Sequence, residues 1–591
     1  MSLERRPASS TSACSRARFE RARFSLTLAC AAFVLAATLS GFRASAQTST
    51  NEKTESIRGT VVNRATHAPI PRALVTSSDQ RLAALTDSEG RFEFTVPQTS
   101  SAEGQASIVN LSSFFFARKP GFLAENTPRV ASSFTAGTEI TLTLVPEALI
   151  VGKVTLPNSE PPDSIFLELF RRQVQDGRAH WFPAGGTQSR SDGEFRFADL
   201  QAGTYKVLTR ELLDRDPLTF DPQGQMYGYP PVYGQNVPDF SSAGTIQVSA
   251  GMTSVVNLSV ARKPYYRVHI PVANGMADGG LNINVNVAGH QGPGFSLGYN
   301  NREQAIEGML PDGSYTVEVF RYGSGPGTGS GTLPITVHGA ALRSTPLTLV
   351  PNASIRVDVN EQFTSTDNSG SITFNLGQRS VKLKGPRRYL NVILEPAEDA
   401  TQRGGESLRN PTGPGDETLV IENTFPGKYW VRVTTTRGYA ASVRSGNVDL
   451  QREPLVIAAG GSPAPIEITL RDDTAEISGT VEGITAPSNP TGTTAEGVST
   501  VRLTAPAYVY FVPLADSAGQ FTEAWVSPDG TFSSPAMAPG VYRVLAFDRP
   551  QSDLEYRNPG PMQAYEAKGP VARVAGGQKE HVRLQLISSN E

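Results

Sequence analysis

One phrase of turn and strand residues returns along this chain of 591 residues at near-constant intervals, and that recurrence limits the fold more than any other feature. It reads Asp-Gly-x-Phe, then a hydrophobic residue, then Gly-x-Tyr-x-Val. The fullest copy is Asp192-Gly193-Glu194-Phe195-Arg196-Phe197 followed by Leu200, Gly203, Tyr205 and Val207; another is Asp529-Gly530-Thr531-Phe532 followed by Met537, Gly540, Tyr542 and Val544. Leu310-Pro311-Asp312-Gly313-Ser314-Tyr315-Thr316-Val317 and Phe425-Pro426-Gly427-Lys428-Tyr429-Trp430-Val431 keep the second half. The glycines Gly203, Gly313, Gly427 and Gly540 stand 110, 114 and 113 residues apart, the mark of tandem domains. Asp-Gly permits the positive φ of a tight turn, and Phe-x-Phe and Tyr-x-Val alternation each turn one strand face inward. The phrase is therefore a hairpin signature; a single Asp per turn, with no further acids around it, reads as turn chemistry and not as a calcium ligand.

Two more elements frame it. An opening strand Ile-x-Gly-x-Val occurs at Ile57–Val61, Ile150–Val154 and Ile477–Val481. A closing strand Val-x2-Gly-x4-Val-x-Leu occurs at Val248, Gly251, Val256, Leu258 and at Val574, Gly577, Val582, Leu584. The spacing predicts a segment 1–46 followed by domains at 47–146, 147–262, 263–351, 352–471 and 472–591, joined by short linkers carrying Pro146, Pro264 and Pro351. With 55 Gly, 43 Pro and little helical periodicity, the expected fold is all-β: about five Ig-like or transthyretin-like antiparallel β-sandwiches in tandem. The first domain is the odd one, replacing Gly-x-Tyr with Phe114-Phe115-Phe116. Loops of low complexity at 323–332, 397–418 and 483–500 fall within domains.

The stretch Ile57 to Val96, with Ala68-Pro69-Ile70-Pro71-Arg72-Ala73-Leu74-Val75 and Thr86-Asp87-Ser88-Glu89-Gly90-Arg91-Phe92, resembles the carboxypeptidase regulatory-like domain. The resemblance is good over the first domain, fair over the second and fifth, and poor over the third and fourth. It implies a seven- or eight-stranded prealbumin-type sandwich related in shape to carbohydrate-binding-like folds, and it specifies no chemistry. The whole chain is also similar to long exported proteins of soil bacteria that string such domains together.

Residues 1–46 read as a signal peptide: Arg16, Arg18, Arg21 and Arg23 precede the apolar run Phe24 to Leu39, and Ala44-Ser45-Ala46 is a small-residue cleavage site. The run is shorter than the ~20 residues a spanning helix needs, which favours cleavage over a retained anchor. Both cysteines, Cys14 and Cys30, lie in this segment, so the remainder can form neither disulfides nor thiolate metal sites. The segment holds seven Arg against Glu4 and Glu20; residues 47–591 carry 46 basic and 54 acidic groups, a net of −8. That balance offers no footprint for nucleic acid or anionic lipid, and no later stretch is apolar enough to span a membrane. The expected location is the periplasm, the cell surface or the medium.

No constellation of reactive groups is apparent. His67, His180, His269, His290, His338 and His581 are scattered without metal-ligand spacing, so neither metal nor cofactor is expected. Gly327-Thr328-Gly329-Ser330-Gly331 lacks the strand-to-helix elbow of a serine nucleophile, and Asp472-Asp473 sits at a domain junction. The most suggestive residues are aromatic: Tyr227, Tyr229 and Tyr233 in a Pro-rich insertion of the second domain, Trp181 and Phe182 beside His180, and Tyr556 and Tyr565 in a parallel insertion of the fifth. Such planes stack on sugar rings or a protein partner, or else cover a sheet edge or a domain junction, and the second reading has the greater weight. The expectation is an exported, non-enzymatic binding or scaffolding protein of the bacterial envelope, with a polysaccharide or envelope protein as partner. The alternatives are a spacer or stalk and, more distantly, an accessory to a peptidase or glycan-degrading enzyme.

Overall fold

A computed structural model of the chain describes residues 54–588 apart from 98–107, 110–114, 125–133, 136–138, 157–163, 216–223, 238, 275–279, 289–293, 322–328, 366–371, 377–378, 398–404, 414–415, 485–505 and 515–516. The expected signal segment, Phe114 and much of the three low-complexity loops lie outside the described residues. Strands dominate, with only one short α-helix, Pro559–Met562, and two short 3-10 turns among the described residues. No helix among them is long and apolar enough to cross a membrane.

Five apolar cores succeed one another along the chain, centred on Val61 and Phe92, on Ile150 and Tyr205, on Ile270 and Tyr315, on Ile355 and Tyr429, and on Ile477 and Tyr542. The first four cores lie between two sheets, and the fifth is wrapped by strands that join into one seven-stranded sheet. In the first sheet the opening strand runs parallel to the closing strand: Thr54–Asn63 with Glu139–Pro146, Ala148–Thr155 with Thr253–Val255, Lys263–Pro271 with Leu342–Arg343, Ala353–Gln362 with Ile466–Arg471, and Glu476–Glu482 with Lys579–Ile587. On its other side it pairs antiparallel with the strand that follows the Asp-Gly turn, such as Glu194–Leu200 or Thr531–Ser533. In the second, third and fourth units the second sheet centres on the Gly-x-Tyr strand, for example Gly203–Thr209 between Phe166–Gln175 and Ile246–Val248. The units are thus β-sandwich domains that share the parallel pairing of opening and closing strand, which zips the ends of each together.

The recurring residues explain one another. The opening-strand glycines Gly59, Gly152 and Gly479 lie opposite Phe92, Phe195 and Phe532 of the Asp-Gly-x-Phe phrase. A methyl group on these glycines would stand 2.5, 2.7 and 2.9 Å from the ring tips and nearer still to the carbonyl oxygens of Ile140, Val256 and Val582, so glycine leaves room for both the ring and the neighbouring backbone. Each of these rings is at least 95% buried, which contributes about 1.5–3 kcal/mol apiece. The Asp of the turn acts locally: Asp87 Oδ1 accepts from the amides of Glu89 and Arg91, and Asp529 Oδ1 from that of Thr531. The tyrosine has one role four times over. Tyr205, Tyr315, Tyr429 and Tyr542 are buried and donate their hydroxyls to the carbonyls of Gln201, Pro311, Phe425 and Ala538, each four residues upstream, at 2.7, 2.9, 3.0 and 2.5 Å. This tyrosine corner staples the turn to the sheet it enters.

One feature differs from the sequence reading. The closing phrase is two strands: Val248 and Val574 pair with Gly203 and Gly540 in the second sheet, and Leu258 and Leu584 pair with Val154 and Val481 in the first. The intervening Gly turn carries the chain from one layer to the other. The Pro-rich insertion of the second unit lies at a domain junction. Its strands Leu212–Leu213 and Met226–Tyr229 join the first sheet of the third unit, with Met226–Gly228 pairing antiparallel to Lys263–Tyr265. Gly228 permits this approach, since a Cβ there would lie 2.9 Å from both the Leu212 carbonyl oxygen and the Tyr265 ring.

Candidate functional site

The most elaborate side-chain constellation lies where the second unit meets the fourth and fifth. The strands Phe166–Gln175 and Arg178–Gln188 form a long hairpin closed by Asp176-Gly177, whose φ values of 47° and 72° fit a type I′ turn. The tip reaches Glu395 of the fourth unit and Tyr556 of the fifth. Tyr556 Oη donates to Asp176 Oδ1 at 2.5 Å, Arg557 Nη2 pairs with Asp176 Oδ2 at 2.9 Å, and Arg557 Nε donates to the Asp176 carbonyl at 3.0 Å. Behind the tip Arg172 Nη1 meets Glu555 Oε1 at 2.5 Å. On the other flank Gln175 Nε2 donates to Glu395 Oε1 at 3.0 Å, an oxygen that also takes Arg432 Nε at 2.6 Å, and the Arg178 guanidinium lies 3.5 Å above the centre of the Trp430 ring. Gly177 packs on the face of Tyr556, and a Cβ there would stand 2.7 Å from the ring.

Electrostatics fit a closed contact. Burial lowers Arg178 to about 10, with the neighbouring Arg557 pushing the same way and Asp176 opposing. Burial also opposes ionisation of Glu555, but Arg172 and Asn558 outweigh it and hold the carboxyl below its ordinary range. Burial, and then Asp176, raise the Tyr556 phenol, so it stays a neutral donor. The remaining joints complete a circuit. The second unit shares a sheet with the third; Phe320 of the third meets Phe425 of the fourth edge-on at 5.2 Å; Gln520 of the fifth donates to the Ala440 carbonyl of the fourth at 2.8 Å. Units two to five therefore contact one another in a closed ring, whereas the first attaches to the second through the short link at Pro146 and Glu147.

The seven aromatic residues singled out in the sequence fall in three places. Trp181 and the buried Tyr233 meet Phe240 edge-on, both at 6.2 Å, with Lys206 Nζ 4.8 Å from the Trp181 ring, and Phe182 lies beside His180 at 6.3 Å. Tyr227 and Tyr229 lie on the strand shared with the third unit, where the Arg262 guanidinium covers the Tyr227 ring at 3.9 Å and Tyr229 packs against the second core. Tyr556, in the contact with the hairpin tip, stacks on Phe521 at 4.0 Å, and Tyr565 meets Phe547 at 5.5 Å in the fifth unit. The structure does not bring the three groups together. Trp525, absent from the sequence reading, is the most exposed large aromatic recorded, at 73%, and stands opposite Tyr508 in its hairpin.

Two sites of titratable groups escaped the sequence. Between the second and third units runs a groove of about 790 Å³, lined by Glu211, Met226, Leu297, Glu307 and Met309 among others. Glu211 Oε1 accepts from the Ser296 amide at 2.5 Å while Oε2 is buried without a partner, and burial raises the carboxyl to about 7 against the opposing Ser296 bond. Beside the groove, His269, Glu303 and Glu307 place three potential metal donors within 4.8 Å of one another. They are 34 and 38 residues apart in sequence, a separation no local motif reveals, and the pairing of His269 with Glu307 across two strands unites them.

No protein-family model matches the sequence, and no curated protein matches it significantly. Solved structures do. The chain is similar to the Bacillus anthracis TIE protein, at 11% identity over 71% of this chain and 67% of that one, with a TM-score of 0.14. It is similar to the shaft pilin SpaA of Lactobacillus rhamnosus GG, at 10% identity over 35% and 98% of the two chains and a TM-score of 0.18, and to a streptococcal ancillary pilin, at 9% over 51% and 100% and a TM-score of 0.16. Fold and joints together define a multidomain β-sandwich protein.

Proposed function

We propose that this chain is a non-enzymatic scaffold of the bacterial envelope, in which four sandwich units lock into a ring and hold the first unit at its margin. The observation that carries the reading is the hairpin tip of the second unit clasped between the fourth and fifth, since a spacer that only set distance would have no use for a contact spanning some 380 residues. The leader-like residues 1–46 support export, and the likeness of Ile57 to Val96 to carboxypeptidase regulatory-like domains agrees with a first unit of prealbumin type. Small-angle scattering on residues 47–591 tests the ring. A compact particle is expected; a maximum dimension equal to five sandwiches end to end would remove the reading and leave the stalk.

Carbohydrate binding is the second reading, and Trp525 favours it. A ring 73% exposed beside Tyr508 offers a flat apolar face for a sugar. Retention on insoluble polysaccharide that is lost in Trp525→Ala would support it, and absence of retention on every glycan tried would discard it.

A further inference from the structure

We propose that His269, Glu303 and Glu307 bind a divalent transition-metal cation of the zinc class on the third unit. His269 and Glu307 are register neighbours on the strands Lys263–Pro271 and Ala305–Pro311, and Glu303 lies in the turn that leads into the second of these. His269 Nδ1 stands 2.9 Å from Glu307 Oε1, and all three side chains offer a donor atom within 4.8 Å of the others. Zinc bonds of about 2.0–2.2 Å place tetrahedral donors roughly 3.3 Å apart, so binding would draw together donors that now lie within 4.8 Å of one another. One imidazole nitrogen with two carboxylates suits zinc and its neighbours better than calcium, which takes oxygen donors only.

The surroundings hold these donors and leave their charge unmatched. Asn300 Nδ2 donates to Glu307 Oε2 at 2.9 Å, the kind of outer hydrogen bond that orients a ligand carboxylate and turns its other oxygen toward the metal. Asn300 Oδ1 accepts from the amides of Arg302 and Glu303 at 3.1 and 3.3 Å, which fixes the turn bearing the third donor. Neither carboxylate has a lysine or arginine ion-pair partner among the described residues. A protonated His269 would neutralise one of the two acids; a divalent cation on neutral imidazole neutralises both. Three protein ligands leave a fourth position for water, and Glu307 also lines the groove between the second and third units, through which solvent and ion have access. The cation would pin this turn to the sheet that the second and third units share.

Titration calorimetry of untagged residues 47–591 with zinc chloride, and the visible absorption of the cobalt(II) form, test the site. One saturable site per chain is expected, with tetrahedral cobalt bands and a raised melting temperature on adding zinc. His269→Ala and Glu307→Gln should each weaken binding ten- to hundredfold, Asn300→Ala less, and His180→Ala not at all. Circular dichroism of each variant separates loss of ligand from loss of fold. Absence of saturable zinc binding would overturn the proposal, as would binding unchanged in the His269→Ala/Glu307→Gln double variant. A His269→Ala variant that alters only the pH dependence of melting would mark an ion pair and no metal site.

Discussion

The second unit is held at two joints made of different materials. Toward the third unit it gives backbone: Met226–Tyr229 enters the neighbour's sheet and its ladder needs no particular side chains beyond the small Gly228. Toward the fourth and fifth it gives the tip of a hairpin, held by side chains of opposite charge and by the faces of Tyr556 and Trp430. A shared ladder is insensitive to salt and to single truncations, whereas ion pairs are screened and fail one by one. The shared sheet thus reads as a permanent weld and the hairpin contact as a clasp that solution conditions can loosen.

Removing Tyr556 should separate the two joints most clearly. Its ring stacks on Phe521, supports Gly177 and carries the hydroxyl that reaches Asp176. Tyr556→Ala is expected to cost about 3–5 kcal/mol at this contact and to enlarge the particle in scattering. The milder Gly177→Val attacks the clasp from the other side, through its φ of 72° and the Tyr556 ring, without touching the fifth core. If either variant stays as compact as the parent, the clasp does not close the ring.

The weld is tested by overpacking. Gly228→Val drives a side chain into the Leu212 carbonyl and the Tyr265 ring, and should cost about 2–3 kcal/mol. Hydrogen exchange at Lys263–Tyr265 should rise while exchange at Asp176–Arg178 stays as in the parent; equal loosening of both would mean the joints are not independent.

Acidity should move the joints in opposite directions. Glu211, at the weld, has a folded pKa of about 7, above the ordinary 4.5, so the folded state holds its proton more tightly than the unfolded one. Its contribution is therefore complete below pH 4.5 and declines as pH rises toward 7. Glu555, at the clasp, is held below its ordinary value, so its contribution is present above 4.5 and fades as pH falls. Glu211→Gln should remove the first slope and stabilise the protein by about 1–2 kcal/mol at pH 8 in urea unfolding. A variant with the parent's slope between pH 5 and 8 would show that Glu211 is not what titrates.

Local rules made the units legible in the sequence. Gly203, Tyr205 and Phe195 each satisfy a demand within one sandwich, and the phrase repeats because that demand repeats. Asp176-Gly177 announces a hairpin in the same way, but nothing local says that its tip reaches Tyr556, because recognition between units depends on complementarity across some 380 residues. The aromatic insertions show the same limit. Tyr227 and Tyr556 look alike in sequence, and whether such a ring meets a ligand or a neighbouring unit is decided by the packing of other domains. His269 and Glu307 form a pair only through strand register, so composition alone left them scattered.

The smallest effect tests the material of the clasp itself. Arg172 is 37% exposed and Glu555 9%, so their pairing is shielded only in part, and Arg172→Ala should cost about 1 kcal/mol or slightly more. Since residues 47–591 contain no cysteine, Glu194→Cys and Asp553→Cys accept a pair of spin labels, one on the second unit and one on the fifth. Raising salt from about 0.05 M to about 1 M shortens the screening length to roughly 3 Å and should broaden the label distance distribution toward longer values. Arg172→Ala should show that broadening at lower salt, because one of the attractions being screened is already gone. A distribution indifferent to salt in both proteins would mean that Tyr556 and Gly177 close the clasp by packing alone, with the charges only setting its register.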